Sequence, residues 1–247
     1  MASANIDRFG ALRRVTLFRS FSDLELGEVA QNSLVRKLRR DEPLVFEGEV
    51  AASLLVLAQG SVRIFREAMD GREQVIRIEH AVTTLNELQL IDSGHHPASI
   101  SACEESLIIS LHIAQCRQKL AESPRFALDV LEKMAHHLRC SFDLIDSLSL
   151  LAVDQRLAQF LLDQAQANGR LYADGLRVEL TMSNQQIGSI IGAVREVVSR
   201  SMSKLQRCGL VSIWGRTVMI PDERLLSDFA ATGRDIRDRR EITAAVG

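Results

Sequence analysis

Two helix-length patterns joined by one glycine turn constrain this chain more than any other feature. Ser183–Ile191 and Val194–Arg207 meet at Gly192-Ala193, and two short strand patterns bracket them. These are Leu176–Leu180 and Val211–Ile220, the second broken at Trp214-Gly215-Arg216. Helix, tight turn, helix and strand pair is the order of a winged helix-turn-helix. In the second helix Val198, Met202 and Leu205 fall at i, i+4 and i+7 and make an inward stripe. The other side displays Arg195, Glu196, Ser199, Arg200 and Ser203. Arginine can bind guanine O6 and N7 with two hydrogen bonds, glutamate can accept from cytosine N4, and serine can reach a base or a phosphate. Glu196 is the informative residue, because a helix that only tracks phosphates would exclude a carboxylate. It needs a base donor, or Arg200 four residues on, to neutralise it. A solvated face with ordinary salt bridges is the alternative for this pattern in isolation; the glycine turns on both sides favour DNA reading.

Upstream, residues 1–33 read as helical, with Ser22 as an N-cap and Leu17, Phe18, Phe21, Leu24, Leu26 and Val29 as apolar positions. From Leu34 to about Leu111 the texture changes to short β-rich runs: Leu54–Leu57, Val62–Phe65, Val75–Ile78, Ile100–Ala102 and Leu107–Leu111. Asp70-Gly71 between two of these runs is a hairpin signal, and the even spacing suggests a small antiparallel barrel or roll. Residues 125–151 then form one long helical pattern free of Gly and Pro. Leu131, Leu138 and Ile145 recur every seven residues, as do Met134, Ser141 and Leu148. Two seams three residues apart suit a coiled-coil dimer; packing on the chain's own barrel is the alternative, since over three heptads the two periods hardly separate. A helical run at Val153–Ala167 follows, for which Gly169 is expected to supply a left-handed stop. After Pro221 a charged, helix-prone tail runs to Gly247. The chain therefore reads as α+β with four parts. Residues 1–124 are a sensor roll with N-terminal helices, 125–151 a dimerisation helix, 152–222 the winged helix-turn-helix, and 223–247 a tail.

Composition narrows the function classes. The 247 residues carry 30 Lys and Arg against 32 Asp and Glu, a formal charge of −2. Between Leu176 and Ile220 the balance is +4, from Arg177, Arg195, Arg200, Lys204, Arg207 and Arg216 against Glu179 and Glu196, so the remainder carries −6. An acidic part and a basic part sum to near neutrality. The four cysteines, Cys103, Cys116, Cys140 and Cys208, show no CxxC spacing, which removes support for a zinc ribbon or thioredoxin-like site. No metal-ligand set is assigned. No apolar run approaches the ~20 residues of a membrane span, and Met1–Arg14 lacks the apolar core of a secretory signal, so a cytoplasmic location without membrane contact is expected. Neither GxSxG, a P-loop nor HExxH occurs, and no enzyme activity is expected.

The segment SNQQIGSIIGAVREVVSRSMSKLQRCGLV (183–211) resembles the DNA-binding domain of the CRP/FNR family of bacterial transcription regulators. LLVLAQGSVRIFREAMDGREQVIRI (54–78) resembles that family's cyclic-nucleotide-binding-type β-roll, and LNELQLIDSG (85–94) the segment lining its effector pocket. The resemblance runs in order over about 20–222. It implies a homodimer on double-stranded DNA that recruits or blocks RNA polymerase. Glu196, Ser199 and Arg200 match the E-x-x-S-R pattern with which FNR-like members read a TTGAT-type half-site. Arg195 stands where CRP-like members place a guanine-contacting arginine, implying a palindromic TTGAT/TGTGA-like site. Ser183, Gln185, Ser203 and Lys204 are then the expected phosphate contacts. Leu131, Met134, Leu138, Phe142, Ile145 and Leu148 are the expected dimer seam, and Asn86, Glu87, Leu88, Pro97, Ala98, Ser141 and Phe142 the expected effector pocket.

Departures from the family pattern bear on the signal. Cyclic-AMP-binding members hold the phosphate with Gly-Glu and then Arg-Ser; here those places read Asn86-Glu87 and Pro97-Ala98. Losing the arginine removes the bidentate anion clamp, which argues against cyclic AMP. The N-terminal cysteine cluster of iron–sulfur members is also missing, which argues against that cluster. Haem sensing stays open through His80, His95, His96, His112, His136 and His137. His112 reads as a packed residue, His95-His96 as an exposed turn and His136-His137 as a solvated pair. Thiol oxidation, with Arg117 beside Cys116 and Arg139 beside Cys140, and control with no small molecule stay open too. The rival class, a cyclic-nucleotide regulatory module of an enzyme or channel, predicts a phosphate clamp and no base-reading helix, the reverse of this sequence.

Overall fold

The computed structural model describes residues 7–92 and 94–234, in two compact units, Met1–Phe142 and Asp143–Gly247. The first opens with α1 (Arg8–Arg13), a 3-10 turn (Thr16–Phe18) and α2 (Asp23–Gln31). α2 begins at Ser22, whose hydroxyl accepts from Glu25 N–H while the Glu25 carboxylate accepts from Ser22 N–H, a reciprocal capping box.

Eight strands follow: β1 (Leu34–Leu38), β2 (Pro43–Val45), β3 (Ser53–Gln59), β4 (Ser61–Glu67), β5 (Glu73–His80), β6 (Thr83–Thr84), β7 (Ser99–Ala102) and β8 (Ser106–His112). They form two antiparallel four-stranded sheets, ordered β1-β8-β3-β6 and β2-β7-β4-β5. Each expected β run lies inside one of these strands. The Asp70-Gly71 turn closes β4 onto β5, with Gly71 at φ 81° and Ala68 N–H on Arg72 O at 2.8 Å. α3 (Leu88–Ile91) interrupts the roll between β6 and β7, and α4 (Ile113–Glu122) and α5 (Pro124–Leu150) follow it.

β3 reads as an unbroken apolar run because both of its faces are buried. Leu54, Val56 and Ala58 face one cluster with Leu12, Phe18, Phe21, Phe126 and Val130. Leu55 and Leu57 face the roll interior with Val62, Ile64, Ile100 and Ile108. The period-2 alternation of strand side chains thus splits one sequence run between two cores.

The second unit comprises α6 (Val153–Asn168), β9 (Arg170–Tyr172), β10 (Gly175–Glu179), α7 (Asn184–Ile191), α8 (Arg195–Arg207), β11 (Ser212–Trp214), β12 (Thr217–Ile220) and α9 (Glu223–Thr232). Its antiparallel sheet runs β11-β12-β10-β9. Two expectations change here. Gly169 is not left-handed: it ends α6 in an extended conformation at φ −74°, and a Cβ there would stand 2.2 Å from Ala165 O, so close approach rather than positive φ demands glycine. Part of the expected tail is core: α9 buries Leu226, Phe229 and Ala230 against α6 and α8 residues such as Leu157, Leu161 and Leu205. The tail from 235 onward lies outside the described residues.

Candidate nucleic-acid interface and the roll charge cluster

The α7–α8 corner is built by two glycines. Gly192 adopts the left-handed conformation (φ 67°, ψ 47°) that a side chain would oppose, and its N–H caps α7 on Gly188 O. Gly188 packs against the turn itself, where a Cβ would meet Ala193 O at 2.3 Å. α8 then leaves with Val198, Met202 and Leu205 buried in the C-terminal core, together with Ser201. The expected inward stripe and the observed one coincide.

Arg195, Glu196, Ser199, Arg200, Ser203 and Lys204 are all exposed on the outward side. Among the described residues, the side chains of Arg195, Glu196, Ser199 and Arg200 have no ion pair or hydrogen bond to the chain, so Arg200 does not neutralise Glu196. Ser203 donates its hydroxyl to Ser199 O at 3.0 Å. Lys204, expected on phosphate, is ion-paired with Asp154 of α6, and Ser201 donates to the same carboxylate. Burial pushes the Asp154 carboxyl up, but Lys204 and Ser201 outweigh it and hold it below its ordinary range. Ser183 caps α7, accepting from Gln186 N–H at 3.3 Å, and Gln185 stands exposed beside it. Leu180 N–H donates to Arg216 O at 2.8 Å, which ties the β11–β12 turn to the approach to α7.

In α5 the two seven-residue seams have different environments. Leu131, Leu138 and Ile145 are each more than half exposed, as are Leu128 and Phe142 beside them. Met134, by contrast, is half-buried against the core of its own roll, and Ser141 and Leu148 are half-buried too. Leu128 was not expected in the exposed stripe; its i+3 relation to Leu131 is the signal for it.

The expected effector residues have different environments. Asn86 is buried and spends its amide on the backbone, accepting from Leu55 N–H at 2.8 Å and donating to Ser53 O at 2.9 Å. Glu87 is 2% exposed and pairs with Lys133 of α5 at 2.6 Å. Burial pushes its carboxyl up, yet Lys133 and Thr84 hold it below the usual carboxylate range. Ala98 is buried, while Leu88, Pro97 and Phe142 are exposed. A cavity of about 290 Å³ lies elsewhere on the roll, lined by Thr16, Arg19, Glu79, Lys133, His136 and His137 among others. The sequence reading missed Lys133. Its signal was the i,i+4 spacing of Lys133 and His137 on a face of the long helix away from Leu131.

Several histidines fall differently from expectation. His112 is exposed at the end of β8, and His96, not an open turn residue, is 5% exposed. Burial lowers the His96 pKa, and Glu49 raises it by less. His137 is half-buried, 3.3 Å from Glu79 Oε1, rather than a solvated twin of His136. Cys116 is buried and its thiol is pushed up to about 12. Arg117 donates instead to Gln89 O and Asp92 O, so it does not activate that thiol.

Comparison with known proteins agrees with these two units. Residues 35–123 match the cyclic nucleotide-binding domain family and residues 155–229 the Crp-like helix-turn-helix domain family. The CRP-like cAMP-activated global transcriptional regulator of Mycobacterium tuberculosis is 26% identical over 216 residues, covering 87% of this chain and 96% of that protein. The fumarate nitrate reduction regulatory protein of Klebsiella oxytoca is 23% identical over 207 residues, covering 83% and 82%. In fold, the chain is similar to the c-di-GMP-responsive global regulator CLP of Xanthomonas campestris. The TM-score is 0.71 at 21% identity, over 81% of this chain and 100% of that one. No helix among the described residues is long and apolar enough to cross a membrane. The chain belongs to the CRP/FNR family and is a DNA-binding transcription regulator, not an enzyme.

Proposed function

We propose that this regulator works as a homodimer reading a two-fold-related, TTGAT/TGTGA-like DNA site. Arg195, Glu196, Ser199 and Arg200 contact base edges, and Ser183 and Gln185 contact phosphates. The observation that carries the reading is the outward face of α8. Two arginines and a glutamate stand exposed with no partner among the described residues, on a helix whose other face is sealed in a core. Charged groups left unpaired in a protein that could have paired them are available for base donors and acceptors. The exposed apolar stripe Leu128, Leu131, Leu138, Phe142 and Ile145 supports dimerisation through α5. The two recognition helices then enter major grooves about 34 Å apart. The β-roll controls this arrangement, and the bound dimer recruits or blocks RNA polymerase. Hydroxyl-radical footprinting on a selected palindromic duplex tests it. Protection in two windows one helical turn apart is expected; a single window, or no preference over scrambled DNA, overturns it.

A further inference from the structure

A buried charge cluster in the N-terminal unit has no part in DNA reading as described above. From α5, the Lys133 ammonium donates to Thr83 Oγ1 at 2.6 Å, to Thr84 O at 2.7 Å and to Thr84 Oγ1 at 2.9 Å, and it faces Glu87 Oε1 at 2.6 Å. Thr84 also donates its hydroxyl to Glu87. One turn along α5, His137 Nε2 lies 3.3 Å from Glu79 Oε1 and His137 Nδ1 lies 4.0 Å from Glu87 Oε2; Arg77 pairs with Glu79 at 2.9 Å. Asp129, one turn back, and Glu132, beside Lys133, hold Arg19, which follows the 3-10 turn. Polar contacts at positions 129, 133 and 137 thus tie successive turns of α5 to the roll and its N-terminal segment.

The exposed apolar stripe lies elsewhere on the same helix. At about 100° per residue, Lys133 sits about 160° round from Leu131 and about 140° from Leu138. Holding Lys133 therefore fixes the rotation of α5 and with it the direction in which the stripe faces. The hold is stiff for a physical reason. Withdrawing the lysine would strand a carboxylate that is 2% exposed, and a buried charge without a counter-charge is strongly disfavoured. Asn86 is likewise committed to Ser53 and Leu55. The polar groups at positions 86 and 87 are satisfied from within the chain.

We propose that Lys133 is a built-in counter-ion latch. It locks α5 on the roll in the rotation that dimerisation needs, so the dimer forms and reads DNA with no small molecule in the roll. This inference rests on the reading that α5 pairs with a second copy. Native mass spectrometry of the purified full chain, sedimentation, and anisotropy on labelled operator DNA test it together. The expected species is a dimer of two polypeptide masses without adduct, competent to bind DNA. Lys133→Met weakens the dimer at least tenfold. Because that change strands Glu87, Lys133→Ala/Glu87→Gln is measured alongside. It keeps the far-ultraviolet spectrum of the wild type and shows the same weakened dimer, whereas Lys133→Arg keeps most of the affinity. A double variant that dimerises as tightly as wild type overturns the latch and leaves the dimer reading standing. So does a stoichiometric bound molecule whose removal abolishes DNA binding. A wild type that stays monomeric on DNA overturns the dimer reading and the latch with it.

Discussion

Replacing Glu196 by alanine separates base reading from every simpler role for that carboxylate. Glu196 is exposed in the first turn of α8 and has no partner among the described residues. Its value to folding is therefore confined to a negative charge near a helix N-terminus, about 0.3–1 kcal/mol, partly offset by the better helix propensity of alanine. Its expected value to recognition is larger, about 1–3 kcal/mol for one specified base pair. At about 1.4 kcal/mol per factor of ten this is roughly 5- to 140-fold in each half-site. Fluorescence anisotropy with a cognate duplex, a duplex altered at one base pair and a random duplex, each over a range of salt, measures all the terms at once. Glu196→Ala is expected to bring the cognate and altered duplexes to similar affinity. Affinity for random DNA should hold or rise, because a carboxylate has left the neighbourhood of the phosphates. The salt dependence should be unchanged, since Glu196 neutralises no phosphate. Equal weakening on cognate and random DNA would refute the base contact. A drop in melting temperature large enough to account for the lost binding would refute the assumption that Glu196 is free of the fold.

Other perturbations test separate parts of the architecture. Leu138→Asp places a charge in the exposed α5 stripe and should turn dimer into monomer by sedimentation; an unchanged dimer removes α5 from the interface. Phe229→Ala empties a fully buried site of α9 and should cost the C-terminal unit about 3–5 kcal/mol in denaturant unfolding. A loss below about 1 kcal/mol would mean that α9 does not seal that core. Gly188→Ala drives a Cβ against Ala193 O at 2.3 Å and should weaken cognate and random DNA binding together by distorting the corner; normal binding would show that the corner yields. Several carboxylates have depressed pKa values, among them Glu79, where His137, Lys133 and Arg77 outweigh burial, Glu87, where Lys133 and Thr84 do, Asp154, where Lys204 and Ser201 do, and Glu25. Glu25 is held at about 2, chiefly by Lys119 and then Ser22. A depressed carboxylate contributes stability above its unfolded value and loses it as pH falls through its folded value. The melting temperature should therefore be level from neutrality to about pH 5 and fall steeply from about pH 4 toward 2; stability that peaks below pH 4 would contradict these pairings.

How far the sequence carried the structure depends on the range of the interactions involved. The α8 stripe, the Gly192 turn, the Ser22 cap and the Asp70-Gly71 hairpin were all legible. Each is decided by residues within about one turn or one strand, where periodicity and backbone preference act directly. Gly169 was legible as a helix end, but the reason for glycine was not. That reason is the distance to Ala165 O, a property of the packed chain and not of φ. His112 and His96 were assigned to the wrong environments for a similar cause. Flanking apolar residues report the strand, whereas the burial of one histidine depends on what lies across from it. The α9 segment looked like a charged tail because only Leu226, Phe229 and Ala230 turn inward, too few to outweigh the charges around them in a linear reading.

By itself the sequence determined the order of two units, the inward and outward faces of α8, and the charge contrast between a basic DNA-reading part and an acidic remainder. Those follow from short-range periodicity and from composition, which survive without coordinates. Tertiary structure decided that the Leu131 seam of α5 is open while Met134 of the other seam packs on the roll, and it alone brought Lys133 to Glu87 across 46 residues of chain. A buried ion pair forms where two distant segments exclude water from the same place, and no local pattern in either segment carries that information.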